Sequence, residues 1–200
     1  MTMAQRKREL RRKVGHSAPF IAVFGSAMTE PGSRDWIKAY EVGAALAKAG
    51  AVTMNGGYGG IMEAVSAGAV SAGGSVVGIT CRDLPEKLPN PYITDDWVAE
   101  RWDQRLLALI WLADGYIVCP GSSGTLVELA MLIETQLKGF LPIRPAVGLG
   151  SFWKSVVQRI TDTKKIISFA PTPIIAAQIA MGMAPVRPIR RTRNKVKKGI

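Results

Sequence analysis

With one histidine, His16, and two cysteines, Cys81 and Cys119, in 200 residues, the chain lacks the side chains from which a zinc site or a disulfide framework is built. No metal is expected, and the thiols suit a reducing cytoplasm. Long apolar runs are also missing. The longest, around Leu106 to Ala113, falls short of the roughly 18 to 20 residues that cross a bilayer, and the N-terminus has no apolar core of the secretory kind. A transit peptide is disfavoured by Glu9 and the scarcity of serine. The expectation is a cytoplasmic protein without a membrane span.

Acidic residues are the next shortage, 15 against 26 Lys and Arg, for a net charge of +11. This excess is not spread along the chain: residues 1–13 carry +5, residues 187–200 carry +7, and everything between carries −1. Both terminal segments lack an apolar period. Residues 1–16 and 185–200 are therefore predicted to be basic disordered tails, able to make weak nonspecific nucleic-acid contacts, around a single domain over residues 17–184. At 48% hydrophobic, that body is large enough for one well-formed core.

What the body does contain is a regular alternation. "PFIAVFGSA" predicts a buried strand and a turn; Ser33 caps a helix that runs from Asp35 to Lys48 and ends at Gly50. "AVTMNGG", "SVVGIT", "GYIVCPG", "PAVGLG" and "KIISFA" predict further strands, with helices between them, including a small-residue helix over "IMEAVSAGAVSAGG" and one from about Ala99 to Ala113. A Pro-rich loop, "CRDLPEKLPNPYITDD", interrupts the series and is long enough to suggest a function. Apolar strands without alternation, each followed by a helix, predict an α/β fold with a doubly wound parallel sheet in three α/β/α layers.

Ligands in such sheets bind at the carboxyl ends of the strands, where three glycine-rich loops are predicted to converge: "GSAMTEPG", "NGGYGG" and "PGSSGT". None fits the dinucleotide fingerprint or a P-loop, so NAD and ATP hydrolysis are disfavoured. Singly, each loop reads as a tight strand-to-helix connection; together on one edge they read as an anion site. The turn before the helix near Ser123 offers free N–H groups at the positive end of a dipole, which suits a phosphate. Glu128, early on that helix, would face whatever carries the phosphate.

The pair "GGYGGIMEA" and "PGSSGTLVE" resembles the two signatures of the LONELY GUY family, also known as lysine-decarboxylase-like proteins, and the resemblance extends over about residues 18–180. It implies a modified Rossmann fold, a homodimer, and hydrolysis of the N-glycosidic bond of AMP or an N6-substituted AMP, without a cofactor, to free base and ribose 5-phosphate. It places catalysis on Glu128 and Arg105 and matches Gly56, Gly57, Gly60, Gly121, Gly124 and Thr125 to the signatures; with Ser26, Ser122 and Ser123 in the same loops, these are the expected substrate or phosphate-binding residues. The sequence departs from the pattern at Tyr58 and Gly59, which shift the first glycine loop, and at Ser122, which replaces a glycine. A decarboxylase is disfavoured, because no lysine stands in or beside these loops to hold pyridoxal phosphate. A non-catalytic nucleotide sensor or carrier stays open as the alternative.

Overall fold

Phe20–Phe24 is the first strand, β1, and all five of its side chains are buried. Successive residues of a strand point to opposite faces, so both faces of β1 must be covered. Phe20, Ala22 and Phe24 join one hydrophobic cluster while Ile21 and Val23 join another. This is the central strand of a three-layer molecule. In the computed structural model, residues 2–14, 18–84, 86, 88–160 and 166–183 are described.

The other strands are β2 (Val52–Asn55), β3 (Val76–Cys81), β4 (Asp95–Ala99), β5 (Gly115–Val118), β6 (Ala146–Leu149) and β7 (Ser168–Ala170), alternating with helices α1 (Met3–Lys13), α2 (Arg34–Lys48), α3 (Ile61–Ser71), α4 (Trp102–Leu112), α5 (Ser123–Leu137), α6 (Lys154–Arg159) and α7 (Pro173–Ala180). The sheet order is β4-β3-β2-β1-β5-β6-β7, every pairing parallel. The chain winds outward from β1 to β4, then returns to place β5 on the other side of β1. That reversal leaves a crevice between β1 and β5 at the carboxyl edge, where such folds bind ligands. Helices α2, α3 and α7 cover one face of the sheet; α1, α4 and α5 cover the other. Ser33 caps α2 by accepting from the Trp36 N–H at 3.3 Å, as predicted. Among the described residues, no helix is long and apolar enough to cross a membrane.

Two elements differ from the sequence reading. β4 forms within a stretch read as loop, because its half-exposed edge position lets it carry Asp95 and Asp96 in place of an apolar run. The N-terminal segment read as a disordered tail is helix α1, opened by a capping box in which Thr2 Oγ1 accepts from Gln5 N and Gln5 Oε1 accepts from Thr2 N. Leu10 and Val14 are buried in the core, and the Arg6 guanidinium lies 4.5 Å from the Trp97 ring. The basic charge that suggested a solvated tail is used instead on one acid: Asp114 accepts from Lys7 at 2.5 Å, Arg11 at 3.1 Å and the Phe20 N–H at 3.0 Å. The segment read as the C-terminal tail, residues 185–200, lies outside the described residues.

Burial alone would raise the Asp114 carboxyl, but the hydrogen bonds from Lys7 and Phe20 and the charges of Lys7 and Arg11 outweigh it and hold the acid below its ordinary value. Its contribution to stability is therefore present above about pH 4 and lost as pH falls through the depressed value. Asp114→Ala leaves two cations and a backbone N–H without their acceptor, and is expected to lower stability by about 2–4 kcal/mol. Urea unfolding at pH 7 checks this; an unchanged midpoint would mean that α1 is not held by this acid.

Candidate functional site

The three glycine-rich loops meet as expected, and backbone hydrogen bonds tie them together. Ser26 N donates to Pro120 O at 3.2 Å, and Ile61 N donates to Ser26 O at 2.9 Å. Ser26 is thus the knot at the β1/β5 crevice, with its hydroxyl also accepting from Met28 N at 3.1 Å. Gly60 sits directly against this knot at φ +66°, where an added Cβ would lie 2.3 Å from Ser26 O, so only glycine fits.

The loop after β2 is fastened from below. Asn55 Oδ1 accepts from Gly57 N at 2.8 Å, while Asn55 Nδ2 donates to Ser66 Oγ at 2.9 Å and Met62 O at 3.3 Å. The long Pro-rich loop fastens it from the side, because Asn90 N donates to Gly57 O at 2.8 Å and Asn90 Nδ2 donates to Tyr58 O at 2.9 Å. Asn55 and Asn90 are both buried, and sequence reasoning passed over both. Asn55 leaves a trace in the sequence, a polar residue ending an apolar strand, whereas Asn90 lies inside the Pro-rich loop with no pattern to mark it.

This fastened loop holds Arg105. Although α4 is a helix with a solvent side, Arg105 points inward and is 8% exposed. Its Nε donates to Ile79 O at 2.7 Å and its Nη2 donates to Gly56 O at 3.1 Å, spanning the ends of β3 and β2. The guanidinium therefore does structural work as well as bringing charge to the carboxyl edge.

At the loop after β5, Ser122 is the residue before α5 and has φ −103°, ordinary extended backbone that serine adopts without strain. Its hydroxyl makes no capping bond to the helix. The first N–H to turn back is Leu126, to Ser122 O at 3.0 Å, which leaves the N–H groups of Ser123, Gly124 and Thr125 at the helix start with no hydrogen bond among the described residues. Gly121, Ser122, Ser123 and Gly124 reach the surface there, whereas Thr125 is buried beneath the turn.

Glu128 lies one turn further along α5, half-buried, and among the described residues its carboxylate has neither a hydrogen bond nor an ion pair. Burial pushes the carboxyl up to about 7, against the opposing charge of Arg105. A carboxyl pushed toward neutrality, in the field of a cation and one turn beyond a row of open N–H groups, is suited to general acid or base work.

The fold and the crevice define a Rossmann-like protein with open backbone N–H groups at its topological switch point. The chain belongs to the SLOG cluster4 family, whose model matches residues 18–164. This bears out the resemblance at the level of the superfamily. A relative from Archaeoglobus fulgidus, described as an uncharacterized protein, is 37% identical over 111 residues, 54% of this chain and 70% of its own. Among solved structures, the molybdenum cofactor binding protein of Rippkaea orientalis is 26% identical with a TM-score of 0.65, covering 78% of this chain and 91% of that one. The molybdenum cofactor carrier protein of Chlamydomonas reinhardtii shares the fold at 21% identity, with a TM-score of 0.63 over 83% of this chain and 98% of its own.

Proposed function

We propose that this protein hydrolyses the N-glycosidic bond of a purine nucleoside 5'-monophosphate, AMP or an N6-substituted AMP, releasing the base and ribose 5-phosphate. The observation that carries this reading is Glu128, an acid with no ion-pair partner among the described residues, its carboxyl pushed up to about 7 by burial, one turn beyond three open N–H groups. The phosphate sits on the N–H groups of Ser123, Gly124 and Thr125 and the hydroxyls of Ser122 and Ser123. The ribose then lies over the second turn of α5, beside Glu128 and Arg105. As the C1'–N9 bond breaks, its electron pair leaves with the base and the sugar becomes oxocarbenium-like; a water oxygen bonds to C1' and gives its proton to the Glu128 carboxylate, and the base takes up a proton. The negative charge of Glu128 also stabilises the cationic sugar. The working unit is a homodimer, for which the outward Leu126, Val127 and Leu137 of α5 supply an apolar face.

A second reading is a carrier that binds a phosphate-bearing cofactor without turnover. Two observations favour it: two of the similar solved structures are molybdenum cofactor binding or carrier proteins, and two of the Arg105 nitrogens are already engaged by backbone carbonyls. Incubation with AMP and with adenosine separates the two readings. A hydrolase frees adenine from AMP far faster than from adenosine, and a carrier frees it from neither.

Because Ser122 is unstrained, its hydroxyl adds a donor at no backbone cost. Ser122→Gly is expected to weaken AMP binding by about 0.5–1.5 kcal/mol, the net value of one hydrogen bond. Calorimetric titration checks this, and tighter binding in the glycine variant would remove Ser122 from the phosphate site.

A further inference from the structure

The Arg105 guanidinium is buried, and no carboxylate lies within ion-pair distance of it among the described residues. A buried cation is costly unless other groups replace its water. Ile79 O and Gly56 O do so for two of its nitrogens, which leaves the rest of the group to be covered. Arg105 Cζ lies over the Tyr58 ring, 5.3 Å from its centroid, where the negative face of an aromatic attracts a cation.

Tyr58 is itself anchored on both sides. Its hydroxyl accepts from Cys81 N at 3.1 Å, at the end of β3, and its carbonyl accepts from Asn90 Nδ2 at 2.9 Å, on the long loop. The ring is buried, so it also keeps water off the guanidinium. Tyr58 is one of the two residues by which this chain departs from the first signature, and it brings to the glycine loop a ring that the signature glycines cannot supply.

We propose that Tyr58 is the positioning residue for Arg105, its ring covering the guanidinium and holding it at the carboxyl edge so that the remaining nitrogen, Nη1, is presented to the bound nucleotide. This deepens the hydrolase reading and rests on it for the identity of the ligand. The ring's part is separable from the hydroxyl's. Tyr58→Phe keeps the ring and loses the bond to Cys81; Tyr58→Leu loses both.

Arg105 reports its own position, because its charge opposes the upward push of burial on Glu128. The experiment is a titration of the Glu128 carboxyl by 13C NMR in the full-length protein without ligand, the signal assigned by its loss in Glu128→Gln. Tyr58→Leu is expected to move the Glu128 midpoint up by about half a pH unit or more, as Arg105 swings away, while Tyr58→Phe leaves it in place. In the same variants AMP turnover is expected to fall about tenfold for leucine with KM little changed, and to be restored by phenylalanine. An unmoved midpoint in a folded Tyr58→Leu protein would overturn the proposal, and so would equal shifts in both variants, which would assign the effect to the hydroxyl. Since the titration needs no substrate, it decides the role of Tyr58 even if AMP proves not to be hydrolysed.

Discussion

Glu128→Gln is expected to lower AMP hydrolysis by about 10² or more while leaving the fold intact, because glutamine keeps the shape but can neither take a proton from water nor offset charge on the sugar. The pH dependence follows from the same group. Its base form accumulates as pH rises through about 7, so wild-type turnover is expected to climb through that window and then level, and the climb should vanish in the glutamine variant. Stability moves the opposite way. A carboxyl raised by burial favours the folded state fully only below its ordinary value near 4.5, and that advantage is lost as pH rises through about 7. Glu128→Gln is therefore expected to be more stable than wild type at pH 8, by about 1–3 kcal/mol. Initial rates over pH 5 to 9 and urea unfolding at pH 8 check both. A variant with wild-type rates would remove Glu128 from the chemistry.

Gly56→Ala is expected to unseat Arg105 and so to damage both stability and turnover. A Cβ there would stand 1.6 Å from Arg105 Nη2 and 2.8 Å from Met62 Sδ, so the guanidinium must leave its seat. Two carbonyls then lose their donor and a buried charge loses its partners, at a cost of about 3 kcal/mol or more. Turnover should fall with stability, since Arg105 serves both. Arg105→Ala shares this double effect for the same reason, which makes Glu128→Gln the cleaner probe of catalysis. A Gly56→Ala protein that unfolds at the wild-type urea concentration would show that Arg105 does not occupy this position.

The contrast between these two residues shows where the sequence could be read and where it could not. The convergence of "GSAMTEPG", "NGGYGG" and "PGSSGT" was legible, because apolar strands followed by helices leave little choice but a parallel sheet with its loops on one edge. The inward turn of Arg105 was not, since its partners are the carbonyls of Ile79 and Gly56, which carry no side-chain signature. Asn90 was equally hidden, as its partners are backbone groups of Gly57 and Tyr58 far back in the chain. At the N-terminus, charge misled. Six Lys and Arg in thirteen residues looked like a solvated tail, but Thr2 and Gln5 form a capping box, and the buried Leu10 and Val14 give the helix an apolar footing. The acid that neutralises Lys7 and Arg11 is Asp114, more than a hundred residues away, and no local pattern could announce it. β4 escaped because an edge strand needs to bury only half of its residues.

The most direct measurement of the central claim is chromatographic: pure protein incubated with AMP and N6-substituted AMP, with adenosine and with Glu128→Gln as controls, and free base read against time. Base released from a monophosphate, slowly or not at all from the nucleoside, and about 10² more slowly by the variant, is the predicted result. Tight binding of the monophosphate with no base released from any member of the panel would contradict the hydrolase and leave the carrier.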